Sequence, residues 1–529
     1  MAQPGCTASA CPSNPPLHTP TQNTATTPIT RQDPFHGLGP AQNELADRAF
    51  TRAAGAPLVH GNRVRLLRDA GENYPAWLEA IAGAERWIHF ESYIIHDDDT
   101  GGEFADALCR KAREGVSVRV LYDWMGGLNK AGPRFWRRIR DAGVDVRCFN
   151  PFRITSPFAW IHRDHRKMLG VDGRVGYITG LCVGDAWTGD AAKGVPPWRD
   201  AGIEVIGPAV ADIEWAFRRV WREEGDPVPH DQRPRREEIE PSGDVALRVV
   251  ASEPWSAGIM RLDALIAAAA RERLWLADAY FAGLPSYVQA LRSAALDGVD
   301  VRLLVPGGSD IPMLRPLSMA GYRPLLEAGV RVFEWNGSMM HAKTAVADGR
   351  WSRVGSTNLN IASFIGNYEL DAAIEDATFG EQMEQAYLID LENATEIVLG
   401  ERRRWRDLAR WRGETREHRT ARRARRASLA AGGERTQRAT ASALRIGGTL
   451  QGALTQQRQF GQMAVPVLLV CALVLAAVAV VTFLWPRILA WPLALTLAWA
   501  AFVLGLQGWT MWRRRRRENS TDRAPQGSA

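Results

Sequence analysis

Lysine is scarce in this chain. Only Lys111, Lys130, Lys167, Lys193 and Lys343 occur among 65 basic residues, the rest being arginine. Cysteine is scarce too: Cys6, Cys11, Cys109, Cys148, Cys182 and Cys471 are spread over 529 residues with no CxxC pair and no zinc spacing. That excludes a small disulfide scaffold and a cysteine metal centre, and the thiols are expected to be reduced and mostly buried. The first forty residues lack the apolar core of a secretory signal. They are rich in Pro, Thr, Gln and Asn, and segment 1–40 is expected to be disordered. With 46% apolar and 23% charged residues, the chain is neither mainly disordered nor fibrous.

Positive charge is missing from the body. The net charge is +6, but sixteen arginines against five acidic residues lie between Glu401 and Arg458, and residues 513–529 add a net +4. Residues 1–400 therefore carry about −10. A nucleic-acid binder carries its positive charge on the binding domain, so nucleic acid is not an expected partner. The basic tail surrounds two uncharged apolar runs, 465–485 and 488–512, separated by Pro486-Arg487. Each is long enough to cross a bilayer as a helix. Trp485, Trp491, Trp509 and Trp512 sit near the run ends, as interfacial aromatics do. These features predict an Arg-rich juxtamembrane segment (401–463), a transmembrane helical hairpin (464–512) and a basic tail (513–529). Arginines on both flanks place both flanks on the cytoplasmic side. Trp405, Leu408 and Trp411 among arginines fit a basic helix on an anionic membrane.

The body is written twice. Gly115-Val116-Ser117-Val118-Arg119-Val120-Leu121 is matched by Gly298-Val299-Asp300-Val301-Arg302-Leu303-Leu304. Asp141-Ala142-Gly143-Val144-Asp145-Val146 is matched by Glu327-Ala328-Gly329-Val330-Arg331-Val332. Upstream, the stretch from Arg86 to Tyr93 parallels that from Arg273 to Tyr280. Strands alternate with helical stretches at 102–114, 284–297 and 314–328, which predicts two α/β domains, each a mixed central sheet flanked by helices. The domains are placed at 41–230 and 231–400, with a Pro- and charge-rich linker near 226–243, and are expected to pack about a pseudo-twofold axis.

The repeat carries a polar constellation. His165, Lys167 and Asp172 give His-x-Lys-x4-Asp, and His341, Lys343 and Asp348 give it again. With so few lysines, one chance occurrence is expected roughly 0.006 times. In an Arg-dominated chain, Lys at both places points to a need for a compact ammonium. His and Lys at i and i+2 on a strand share a face. Two imidazoles and two ammoniums facing one pocket suit a phosphodiester: ammoniums hold the non-bridging oxygens, one imidazole attacks phosphorus and the other protonates the leaving alkoxide. The Asp ahead of Gly173 or Gly349 reads as turn-fixing. His162 is expected at the pocket edge, His89 as a structural strand residue, and Asp97-Asp98-Asp99 as a solvated turn.

The duplicated motif resembles that of the phospholipase D superfamily. Over roughly residues 57–395 the chain is similar to its bacterial cardiolipin synthases, through Phe90-Glu91-Ser92-Tyr93-Ile94, Trp198-Arg199-Asp200, Gly355-Ser356-Thr357-Asn358 and Glu369. The resemblance implies a metal- and cofactor-free, two-step transfer through a phosphatidyl-histidine, at the inner membrane of a bacterium. It counts His165, Lys167, Asp172, His341, Lys343 and Asp348 as the catalytic set, with His165 as nucleophile and His341 as acid/base. Asn358, Ser356, Glu369 and Asp200 form the substrate-binding set, and Glu369 and Asp200 resemble acidic residues that orient the histidines. The implied donor is phosphatidylglycerol and the acceptor a second phospholipid. The alternative is a phosphodiesterase in which water takes the second step. One departure is visible: Cys182 stands where the first half should match Asn358.

Overall fold

A computed structural model describes residues 40–152, 162–311 and 314–399, with 498 and 499. The expected disordered N-terminal segment, Arg-rich segment, transmembrane hairpin and basic tail lie outside the described residues, save 40, 498 and 499. Among the described residues no helix is long and apolar enough to cross a membrane.

Fifteen strands form the framework among the described residues. In chain order they are β1 Val59–Arg68, β2 Trp87–Ser92, β3 Ser117–Asp123, β4 Asp145–Phe149, β5 Lys167–Val171, β6 Val175–Thr179, β7 Ala201–Ile206 and β8 Val245–Ser252. Then follow β9 Arg273–Ala277, β10 Asp300–Pro306, β11 Arg331–Trp335, β12 Thr344–Ala347, β13 Trp351–Gly355, β14 Glu369–Glu375 and β15 Ala394–Ile397. Their spatial order is β15-β11-β10-β9-β12-β13-β14-β8-β1-β7-β6-β5-β2-β3-β4. Apart from β15, this order reads the same from both ends once β1 is equated with β8, β2 with β9, and so on to β7 with β14. The written repeat is therefore a structural repeat. In each half two parallel pairings (β2 with β3 and β3 with β4; β9 with β10 and β10 with β11) continue into antiparallel ones. The helices expected from sequence occur as Asp99–Arg113, Pro285–Leu296 and Leu314–Glu327.

Strand β1 joins the halves. Its early residues pair with β8, Val59 opposite Leu247 and Asn62 opposite Val245, and from Arg63 onward it pairs with β7. The halves then stack, with β6 lying against β13 and β14 and β7 against β13. Side chains alternate along each strand, so each half has an inner and an outer apolar face. On the outer face of the first half Trp77, Phe104 and Leu108 pack on Phe90, Val120 and Leu169. On that of the second, Leu262, Leu291 and Leu325 pack on Leu276, Leu303 and Val332. The inner faces share a single core, where Val210, Phe217 and Trp221 of helix Val210–Glu223 meet the same cluster as Phe379, Met383 and Tyr387 of helix Ala377–Glu392. That shared burial, together with the continuous strand pairing, fixes the two halves to each other.

The final Asp of each motif belongs to this framework. Asp172 (φ 55°) and Gly173 (φ 69°) turn β5 into β6, and Asp348 (φ 52°) and Gly349 (φ 62°) turn β12 into β13. Tight hairpins favour two successive positive φ angles, which Asp-Gly tolerates. Asp172 accepts backbone N–H bonds from Glu85 (2.8 Å), Arg86 (2.8 Å) and Trp87 (2.7 Å). Asp348 accepts the same three from Arg271 (2.9 Å), Glu272 (2.8 Å) and Arg273 (2.8 Å). Each carboxylate thus ties a hairpin to the start of a central strand. Asp172→Ala is expected to lower unfolding stability by about 3 kcal/mol, because three amides lose an ionic acceptor. Denaturant unfolding measures this loss, and the turnover per folded molecule should stay within about threefold of wild type.

Candidate active site

The motif histidines sit on short straps leading into β5 and β12. Each strap is held by backbone from the opposite half. The His165 amide donates to Tyr368 O (2.9 Å) and the Tyr368 amide to Arg163 O (2.8 Å). In the second strap the His341 amide donates to Arg199 O (2.7 Å) and the Arg199 amide to Met339 O (2.8 Å). These parallel bridges place Glu369, next to Tyr368, beside His165, and Asp200, next to Arg199, beside His341.

The side chains follow the same exchange. His165 Nδ1 bonds Glu369 Oε2 at 2.9 Å, and His341 Nδ1 bonds Asp200 Oδ2 at 2.7 Å. Both carboxylates are fully buried. Glu369 also accepts from Ser356 Oγ (2.5 Å) and Asn367 Nδ2 (3.3 Å). Asp200 accepts from Trp187 Nε1 (3.2 Å) and the Ala201 amide (2.9 Å). A carboxylate on Nδ1 sets the ring orientation and tautomer and leaves Nε2 for chemistry. Asp200, Glu369 and Ser356, placed in the substrate-binding set from sequence, are thus turned toward the histidines and each other; the Ser356 hydroxyl also accepts from the Leu370 amide (2.9 Å).

Lys167 Nζ donates to His165 O at 2.5 Å, and Lys343 Nζ to His341 O. The ring of Tyr93 lies 5.1 Å from Lys167 Nζ and 4.9 Å from the His165 ring. Tyr280 stands in the same relation to Lys343 and His341, at 5.8 Å in both cases. Trp187 and Trp198 each pack on His341 at 5.7 Å. Asn358 is buried; its Nδ2 reaches Ser363 Oγ at 3.4 Å and its Oδ1 has no hydrogen-bond partner among the described residues. Cys182 fills the matching place in the first half, its thiol pushed up by burial against the opposing pull of Lys167. Asp172 and Asp348, grouped with the catalytic residues by their motif, are the hairpin anchors described above.

Electrostatics tie the two pairs into one site. Burial lowers the His165 pKa; Glu369 opposes this, while Lys167 and Lys343 lower it further. His341 falls to about 4 through burial and Lys343, with Asp200 opposing and Lys167 adding. Each imidazole therefore feels the ammonium of both halves. Burial and Lys167 bring Lys343 down to about 8, against the pull of Asp200. Burial would raise Asp200 and Glu369, but the facing histidines and lysines outweigh it and hold both below their ordinary values. These shifts favour neutral imidazoles seated on ionised carboxylates. Among the described residues no group of three or more His, Cys, Asp and Glu is placed to hold a metal ion.

Several residues at the site were not among the site residues expected from the sequence. Tyr93 and Tyr280 occupy matched positions of the repeat, which is the cue that points to them. Trp187 and Asn367 have no such cue. His162 donates from Nδ1 to Gly366 O (2.8 Å) at the edge of the site. His89 is buried, stacked on Phe217 and bonded to Glu214 (3.0 Å).

The family profile described as cardiolipin synthase, phospholipase D-like domain, matches residues 77–183 and 262–389, one motif in each stretch. A cardiolipin synthase of Alkalihalophilus pseudofirmus is 33% identical over 347 residues, spanning 64% of this chain and 68% of that protein. The chain belongs to the cardiolipin synthase family of phospholipase D-like proteins. It is an enzyme of the phospholipase D superfamily, and its function is phosphatidyl transfer. Cardiolipin synthase 1 of Bacillus anthracis is 32% identical over 358 residues, covering 65% of this chain and 69% of that one. The phosphatidylserine synthase structure from Haemophilus influenzae shares the fold, with a TM-score of 0.51 at 16% identity, covering 66% of this chain and 91% of that one.

The exchanged carboxylates give a pH prediction. A lowered pKa keeps the His165 ring neutral to lower pH, so the acid limb of kcat/KM should lie below the ordinary 6.5. The alkaline limb should fall near about 8, where Lys343 loses its proton. Glu369→Gln removes the group that raises His165. The acid limb should move to still lower pH while the rate drops by about 10²-fold or more. An unchanged pH profile in this variant would contradict the assignment of Glu369 to His165.

Proposed function

We propose that the protein makes cardiolipin from two molecules of phosphatidylglycerol, with phosphatidyl carried on His165. The observation that carries this is the exchange of partners: two imidazoles, each seated on a carboxylate of the other half, with two ammoniums that act on both. In the first step His165 Nε2 attacks phosphorus of one phosphatidylglycerol and a phosphorus–nitrogen bond forms. The bond to the headgroup oxygen breaks, and His341 gives its proton to the departing glycerol. Burial and Lys343 lower the His341 pKa; an anionic diester between Lys167 and Lys343 offsets the ammonium part of that effect, and on Asp200 the ring then takes up the proton it must give. In the second step His341 accepts the proton of a headgroup hydroxyl on the second phosphatidylglycerol. That oxygen displaces His165 from phosphorus.

Lys167, Lys343 and Asn358 hold the phosphate oxygens in this reading, the ammoniums offsetting charge that grows toward the pentacoordinate state. With two fixed cations at phosphorus, the chemistry asks for no added metal. Ser356 and Asn367 act on Glu369, and Trp187 on Asp200, as positioning groups. The apolar runs at 465–485 and 488–512 anchor the chain in the bacterial inner membrane, and the flanking arginines keep the two-domain body (41–230 and 231–400) on the cytoplasmic side.

Product analysis with phosphatidylglycerol vesicles tests the reading. Cardiolipin and free glycerol in equal amounts are expected. Phosphatidic acid and glycerol without cardiolipin would make the enzyme a hydrolase instead. His165→Ala and His341→Ala should each lower turnover by at least about 10²-fold, with unfolding midpoints close to wild type. EDTA should leave the rate unchanged.

A further inference from the structure

We infer that the His165 side of the site mouth docks directly on the bilayer surface, through an aromatic and aliphatic rim formed by Phe152, Trp255 and Ile361. The inference rests on the transferase reading for its substrate but not for its geometry. These three side chains come from loops far apart in sequence and are 55%, 75% and 64% exposed. Trp255 is held in the left-handed region at φ 69°, which costs a bulky residue energy and recurs at functional positions. Its amide donates to Ile365 O at 2.7 Å, in the turn Ala362–Gly366 that Ile361 opens. The His162 ring meets Trp255 edge-on at 6.4 Å and bonds Gly366 of the same turn. Asn150 Nδ2 donates to His162 O (3.1 Å) and places Phe152, two residues on, against Trp124 at 6.0 Å.

The rim borders the chemistry. Gly366 is followed by Asn367, which bonds Glu369, which seats His165. The chain neighbours Asn150, Ser256, Asn360 and Asn367 are uncharged, and Glu253 of the Trp255 turn is paired with Arg219.

A bilayer fits this rim better than a protein partner. The reacting phosphodiester carries acyl chains that leave the apolar phase only at high cost, while His165 is nine-tenths buried. A rim of Trp, Phe and Ile that dips below the headgroups brings phosphorus to the imidazoles with the chains still in the membrane. The described body ends at residue 399, and more than sixty residues separate it from the first apolar run at 465, enough chain to let this face turn to the membrane that the runs would span.

The test uses the full-length protein reconstituted in phosphatidylglycerol vesicles, with Trp255→Asn (a residue that accepts the left-handed backbone), Ile361→Asn and the double variant. Turnover of vesicle substrate is expected to fall about tenfold or more in the double variant. Turnover of short-chain phosphatidylglycerol below its micelle concentration should match wild type, which also shows that the variant is folded. Brominated acyl chains should quench more fluorescence in wild type than in Trp255→Asn. Equal vesicle turnover in variant and wild type, equal quenching, or a vesicle rate that rises with protein density as for a self-association surface, would each overturn the proposal. A wild type inactive on both substrates would instead defeat the transferase reading, and the quenching comparison would still decide the docking.

Discussion

Everything functional in this fold depends on an exchange across the repeat: the histidine of each half is held by a carboxylate of the other. A single half has an imidazole and an ammonium, but the groups that orient them, Glu369 for His165 and Asp200 for His341, arrive from the other half. The backbone bridges 164–368 and 199–340 make that arrival part of the fold. Packing of β6 and β7 on β13 and β14 then becomes a requirement of the chemistry as well as of stability.

Such a site costs folding energy. Two lysines, two histidines and two carboxylates are removed from water, and each isolated charge would be strongly unfavourable there. Alternation of sign and hydrogen bonding to every carboxylate offset the cost. The symmetry is also imperfect. Arg353, buried beside Asp263 and Asp371, has Tyr177 as its repeat mate, and burial leaves those two acids at about 6 and about 7. Asn358 corresponds to Cys182 across the repeat, and Trp187 and Trp198 join Tyr280 on the His341 ring, whereas among the described residues the His165 ring meets Tyr93. The two half-sites therefore present different surroundings to one phosphoryl group, which a reaction with one nucleophile and one acid requires.

Much of this was legible in the sequence, because the repeated units are local. The Gly-initiated strands, the helices between them and the two His-x-Lys-x4-Asp motifs each lie within one short stretch, and five lysines made Lys167 and Lys343 conspicuous. The turn-fixing reading of Asp172 and Asp348 also followed from the Gly after each. The partnerships were not legible from spacing. Asp200 and His341 are 141 residues apart, Glu369 and His165 are 204 apart, and only resemblance to a family pointed to them. The switch of β1 from one half to the other has only Gly61 (φ 86°) as a local mark, and its partners near 246 lie far away in sequence.

The most direct measurement of the central claim counts phosphatidyl groups on the enzyme. Wild-type protein would be mixed with radiolabelled phosphatidylglycerol, quenched at alkaline pH where phosphohistidine survives, and mapped by peptide mass. One shared site predicts at most one phosphatidyl group per chain, found on the peptide of His165 and absent from that of His341. Two groups per chain, or label on both histidines, would mean two independent sites and would contradict the account.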